Sequence, residues 1–169
     1  TTTTLVAELL RGAGLQADIA GNVGTPLISY VPGSADRLYA TELSSFQLEA
    51  VQRFRPRAAA ILNLTPDHLD RYNDFSAYIA AKRRIFMNQQ ASDYAVLNAD
   101  DPRTAAMAAE VNSTPFLFSR MQEVARGAFV RGGSVCFRDG STEADLFPVT
   151  EIRLRGGHNL ENVLAACTL

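Results

Sequence analysis

Lysine is almost missing from this chain: Lys82 is the only one among 16 basic residues, and the others are all arginine. Arginine supplies permanent charge on a rigid fork, so a need for charge does not account for a single lysine. An amine can also lose its proton, react covalently and be modified. Cysteine is scarce as well. Cys136 and Cys167 lie far apart with no metal-type spacing, which excludes a disulfide framework and a thiolate metal centre and points to free thiols in a reducing compartment. The chain carries no apolar run close to the roughly 20 residues that cross a bilayer, and no charged-then-apolar leader opens it. The expectation is a cytoplasmic protein without a membrane partner. A net charge of −2 with 20% charged residues lacks the basic excess that would attract a nucleic-acid backbone. There are no internal repeats, and Thr1 to Thr4 is the only low-complexity stretch.

What is present fits one domain. A chain of 169 residues, 47% of them apolar, buries roughly 70% of its unfolded surface on folding. It opens on four threonines rather than methionine and runs straight into Leu5 to Arg11, an amphipathic helix closed by Gly12 and Gly14. The expectation is a truncated start, with what came before Thr1 removed.

Helices and strands alternate from there. Leu15 to Ala20 reads as a strand, Gly21 to Pro26 as a turn into a helix, Leu38 to Leu43 as a strand, and Ser45 to Phe54 as a helix. Ala58 to Leu64 is an apolar run of the kind a strand covered on both faces requires. Thr65 to Asn73 is a polar loop, and Asp74 is placed to cap the next helix. Tyr94 to Asn98, Asp101 to Val111 and Pro115 to Ser119 read as strand, helix and strand. This alternation predicts an α/β fold with a mostly parallel sheet. Residues 125–155 differ: Phe129 to Phe137 places two short strands around Gly132-Gly133, with a second turn at Asp139-Gly140, predicting a small antiparallel sheet. His158 to Leu169 reads as a last helix entered through Gly156-Gly157.

Phe75, Tyr78, Ile79, Lys82, Ile85 and Phe86 share one helical face, so the lone lysine sits in an apolar stripe. A snorkelling lysine is the plainer reading. Three polar clusters follow strands: Glu42 to Ser45, Thr65 to Arg71, and Asn98 to Asp101. In an open parallel sheet ligands gather beyond the strands' carboxyl ends, and a glutamate, a histidine and carboxylates there would suit magnesium and phosphates. Singly, each has another reading. Glu42 could pair with an arginine, Asp67, Asp70, Asp100 and Asp101 could be turn formers or caps, and His68 could be a hydrogen-bonded loop residue. A lysine amine that takes up carbon dioxide becomes a carbamate, an oxygen ligand that arginine cannot replace. Thr1 to Thr4 would suit the residues that follow a phosphate-binding loop as its helix begins, or a polar N-cap.

Together the segments Glu42-Leu43-Ser44-Ser45-Phe46-Gln47-Leu48-Glu49, Leu62 to Tyr72, Ala81 to Ile85, Val96 to Asp101 and Gly157 to Asn162 resemble the Mur ligase family, in its D-glutamate-adding branch. Other members and folylpolyglutamate synthase share the Asp-His and His-Asn-x-x-Asn segments more loosely. The resemblance implies a three-layer, P-loop NTPase-like (Rossmann-like) domain, the central ATP-binding one of three, with the domain's first strand and phosphate-binding loop lacking here. It implies that Glu42 binds a magnesium ion, that His68 and a carbamate on Lys82 hold a second, and that Lys82, His68 and Glu42 are catalytic. Thr1 and Thr2 would flank the ATP phosphates, Asn159 and Asn162 would lie on the adenine side, and Asn22 and Ser44 near the substrate's peptide end. The implied reaction joins D-glutamate to UDP-N-acetylmuramoyl-L-alanine through an acyl phosphate made from ATP, in peptidoglycan precursor synthesis. The implied partners are those substrates and the N- and C-terminal domains of the same protein, in a monomer with no nucleic acid or membrane. The isolated domain would be inactive. Two other readings stand beside this one: a P-loop-like nucleotide-binding module that has lost catalysis, and a sister ligase with another acceptor.

Overall fold

A computed structural model describes residues 1–66 and 71–169. Among these described residues, five α-helices and eight strands follow in the order α1 (Thr2–Gly12), β1 (Gln16–Gly21), β2 (Arg37–Glu42), α2 (Ser45–Glu49), β3 (Ala58–Ile61), α3 (Phe75–Arg83), β4 (Tyr94–Asn98), α4 (Pro102–Ala106), β5 (Thr114–Phe118), β6 (Arg126–Arg131), β7 (Ser134–Asp139), β8 (Thr142–Pro148) and α5 (Gly157–Thr168).

The β3–β4–β5 sheet is parallel and carries the core. Alternation of side chains along these strands splits the apolar residues between two faces. Ala59, Ile61, Ala95 and Leu97 pack with Tyr78 and Phe86 from the α3 side and with Met107 just past α4. Val96, Phe116 and Phe118 face the other way and pack with Leu164 and Ala165 of α5. The result is three layers, helix, sheet and helix, as expected for strands apolar on both faces.

β1 and β2 pair in parallel as well, but no hydrogen bond joins them to β3 among the described residues. The parallel strands thus form two sheets where the alternation alone suggested one. β6, β7 and β8 form the antiparallel sheet foreseen for residues 125–155. It is stitched to β5 by the Ser119 N–H, which donates to the Ala128 carbonyl at 3.0 Å. Gly127 makes this junction possible. Its φ is +120°, and a Cβ there would stand 1.8 Å from the Leu117 carbonyl oxygen, so any side chain would push β6 away from β5.

Three expected helices come out shorter. After Pro26 only a 3₁₀ turn forms, Leu27–Tyr30, with no buried residue to stabilise more. The Asp101–Val111 stretch is α-helical to Ala106 and then tightens to 3₁₀ over Met107–Ala109. The helix expected through Phe54 stops at Glu49. There the Arg84 guanidinium takes the carbonyls of Leu48 at 2.9 Å and Val51 at 2.5 Å, satisfying groups that would otherwise need another helical turn.

Candidate active site

The turn after β1 meets the end of β2 at Glu42. Gly21 adopts φ +96°, and a Cβ there would lie 2.2 Å from the Glu42 carbonyl oxygen. Only glycine lets the two chains come so close. That approach allows the Asn22 N–H to donate to the Glu42 carbonyl at 2.7 Å, and the Asn22 amide to donate to Glu42 Oε1 at 3.3 Å. From α1 the Thr3 hydroxyl donates to Glu42 Oε2 at 3.4 Å. Both side-chain contacts are long, hence weak.

Glu42 is half-buried, and no ion pair among the described residues includes it. The arginine partner considered from the sequence is therefore not found. A half-buried carboxylate held, among the described residues, by neutral donors alone keeps lone pairs for a hard cation, which prefers oxygen ligands. Among the described residues no three histidine, cysteine or acidic side chains converge on one point.

Lys82 lies in the last turn of α3. Its Nζ stands over the ring of buried Tyr78, 5.2 Å from the centroid, which confirms its place on the apolar face. Asp74 caps α3 as foreseen, accepting from the Ala77 N–H at 2.8 Å. His68, with Asp67 and Asp70, lies outside the described residues.

The threonines at the start of α1 divide their contacts. Thr1 is exposed and precedes the first helical residue as N-cap, with no side-chain cap bond. Thr2 is buried, and its hydroxyl donates to Asn162 Oδ1 at 2.9 Å. Asn162 in turn donates to Asn159 Oδ1 at 3.3 Å, and Asn159 to the Arg155 carbonyl at 2.7 Å. The two asparagines of the last helix are thus one relay, tied to the first helix.

Ser44 is occupied locally. It caps α2, its hydroxyl accepting from the Gln47 N–H at 3.3 Å while Gln47 Oε1 accepts from the Ser44 N–H at 2.8 Å. This reciprocal pair is a capping box. Asp101 and Asp100 also act structurally: Asp101 caps α4 and accepts from the Leu64 N–H at 2.9 Å, and Asp100 accepts from the Ser119 hydroxyl at 2.5 Å and the Arg120 N–H at 2.8 Å.

One cluster escaped sequence reasoning. Glu49 Oε1 accepts from the Tyr72 hydroxyl at 2.6 Å, and Oε2 from Arg71 Nη2 at 3.1 Å. The Tyr72 hydroxyl and then the Arg71 guanidinium hold the Glu49 carboxyl below the usual range. Burial first, then Glu49, pushes the Tyr72 phenol up. Both cysteines are free. Burial raises both thiols, with Asp145 adding to the effect at Cys136 and Cys167 reaching about 11, so neither is a poised nucleophile.

Residues 1–169 match the profile of the Mur ligase middle domain over their whole length. The chain belongs to the Mur ligase family. It is 48% identical over 167 residues to the UDP-N-acetylmuramoylalanine–D-glutamate ligase of Koribacter versatilis, covering 98% of this chain and 37% of that protein. The ligase of the same name from Geobacter metallireducens is 48% identical over 168 residues, with the same coverage. The chain thus spans little more than a third of these curated relatives. Among solved structures, a UDP-N-acetylmuramoyl-L-alanyl-D-glutamate–2,6-diaminopimelate ligase superimposes with a TM-score of 0.72 at 24% identity, over 98% of this chain and 39% of that one. That likeness establishes the Mur ligase α/β fold. Among the described residues no helix is long and apolar enough to cross a membrane.

Proposed function

We propose that this chain is the central, ATP-binding domain of a ligase that adds D-glutamate to UDP-N-acetylmuramoyl-L-alanine in peptidoglycan precursor synthesis. The observation that carries the reading is Glu42, a half-buried carboxylate at the end of β2 without a cationic partner among the described residues, reached by Thr3 from α1 and Asn22 from the β1 turn. The 48% identity to ligases of that name supports the D-glutamate branch.

Each residue has a part in this reading. Glu42 would hold one magnesium ion, and His68 with a carbamate on Lys82 a second, supplying positive charge that offsets repulsion between the substrate carboxylate and the γ-phosphate of ATP. Thr1, the N-cap of α1, and Thr2, in its first turn, bring the helix's unpaired N–H groups to the phosphates. Asn159 and Asn162, held by the relay from Thr2, present their amides to the adenine. Asn22 orients the Glu42 carboxylate toward the peptide end of the substrate, and Ser44 holds the start of α2 beside it. The carboxylate that receives the phosphoryl group becomes an acyl phosphate, and attack by the amine of D-glutamate then forms the amide and expels phosphate. Flanking N- and C-terminal domains complete the protein, which acts as a monomer in the cytoplasm. The isolated domain is inactive.

The test is ADP release by the full-length protein with ATP, magnesium and UDP-N-acetylmuramoyl-L-alanine, offering D-glutamate, L-glutamate, L-lysine or diaminopimelate in turn. Release with D-glutamate alone supports the reading. Release with another acceptor moves the protein to a sister ligase, and no release in any arm replaces catalysis with nucleotide binding.

A further inference from the structure

Thr1 caps α1 and three more threonines begin it, although threonine is a poor helix former, because its branched side chain loses rotamer freedom against the preceding turn. Helical preference therefore does not account for them, and two neighbours show another use. The buried Thr2 hydroxyl donates to Asn162 Oδ1 at 2.9 Å, and the half-buried Thr3 hydroxyl donates to Glu42 Oε2 at 3.4 Å. Adjacent residues of one helical turn thus hold α5 on one side and the end of β2 on the other. The far end of α1 is tied as well, since Arg11 Nε donates to the Ala17 carbonyl of β1 at 2.8 Å, and Ala7 between them is fully buried. The Thr3 hydroxyl is therefore presented from a helix anchored at both ends.

Glu42 meets a different donor on each carboxylate oxygen, the Asn22 amide on Oε1 at 3.3 Å and Thr3 on Oε2. Neutral donors on opposite oxygens favour one orientation of the carboxylate and leave its charge intact. Contacts this long add little to stability, so stability is a poor reason for the Thr3 hydroxyl to be there. Catalytic hydrogen bonds, by contrast, are often long outside the complex with substrate. Partners that bond a carboxylate in this way orient metal ligands without touching the metal. Of the two donors, Asn22 comes from a turn and Thr3 from a helix, and rigid elements hold a site more closely than loops do.

Resting on the ligase reading above, we infer that Thr3 is a positioning residue for Glu42. Its hydroxyl sets the direction in which that carboxylate is presented to a divalent cation, and it does so from the helical turn that Thr2 locks to Asn162.

The experiment uses the full-length protein and measures Mn2+ binding by electron paramagnetic resonance with ADP present and no turnover, and ADP binding by calorimetry in EDTA. Thr3→Val keeps the branched shape and removes only the hydroxyl. It is expected to weaken Mn2+ binding about 10-fold, the scale typical of a lost orienting partner, with ADP affinity in EDTA and the melting temperature close to those of the wild type. Thr3→Ser, which restores the hydroxyl, is expected to recover the Mn2+ affinity. Glu8→Gln, which breaks the exposed Arg11–Glu8 pair elsewhere on α1, is the control and should leave it unchanged. Wild-type Mn2+ affinity in Thr3→Val, or an equal loss in Thr3→Ser or in the control, would overturn the inference. So would a matching loss of ADP affinity in EDTA, because the helix itself would then have moved. If the wild type releases ADP with D-glutamate while Thr3→Val binds Mn2+ normally, only the positioning role fails. If the wild type releases none, the ligase reading fails and takes the inference with it.

Discussion

Asn22 holds Glu42 twice, through its main-chain N–H on the carbonyl at 2.7 Å and through its amide on the carboxylate at 3.3 Å. The double contact exists because Gly21, at φ +96°, lets the β1 turn touch the end of β2. Gly21→Ala is expected to lose that geometry. A non-glycine residue at such a φ costs roughly 1–3 kcal/mol, and the 2.2 Å approach of its Cβ to the Glu42 carbonyl adds to it. Thermal unfolding should show the loss of stability, and ADP release by the full-length protein should fall further than the change in folded fraction explains.

Thr2 and Asn162 are 160 positions apart in sequence and bonded at 2.9 Å. Thr2→Val keeps the buried shape and removes the hydroxyl. A hydrogen bond of this kind contributes about 1 kcal/mol net, so the KM for ATP is expected to rise about 5-fold, with the KM for D-glutamate unchanged. Steady-state kinetics with each substrate varied in turn checks this; an equal rise for both would mean that the bond supports only the fold.

Lys82→Arg retains the charge over Tyr78 but cannot form a carbamate. Folding should survive and activity of the full-length protein should drop by on the order of 100-fold, as for loss of a metal-site partner. Lys82→Ala should recover part of its rate with bicarbonate or a short carboxylic acid, which restores an oxygen ligand. Activity retained in the arginine variant would make Lys82 a packing residue.

Asp93 supplies a pH-dependent term. Its side chain is 2% exposed and accepts from Arg55 Nε at 2.6 Å and from the Gln90 N–H at 2.8 Å. The Arg55 hydrogen bond first, then that from Gln90, holds its carboxyl below the usual range. A folded pKa below the unfolded one means that this contribution is complete above the unfolded value, about 3.9, and disappears as pH falls through the lower folded value. Asp93→Asn should therefore melt several degrees below the wild type at neutral pH, and the gap should close in strong acid. A gap independent of pH would show that packing, not charge, is lost.

Much of the fold could be read directly. β4 runs over the residues expected, Asp74 caps α3, and the Gly132-Gly133 and Asp139-Gly140 turns separate β6, β7 and β8. These features are local, since a cap or a turn is decided by residues within a few positions of one another. α2 was misjudged because its end is set from outside, by Arg84. The site was legible as a set of residue types, with Glu42 and Lys82 singled out by chemistry. The relay from Thr2 to Asn159 and the grip of Glu49 on Tyr72 were not, because neither partner carries a local sign of the other.

By itself, then, the sequence determined the order of elements, the apolar faces they bury, the single amine on the α3 face and the motifs that mark a Mur ligase. Periodicity and turn chemistry act over one or two turns of chain, and they are written residue by residue. The tertiary structure alone decided that Glu42 meets neutral partners and no arginine among the described residues, that Thr2 is spent on Asn162, and that Glu49 joins α2 to Tyr72. Such contacts depend on where packing brings distant side chains together, and no local preference encodes that position.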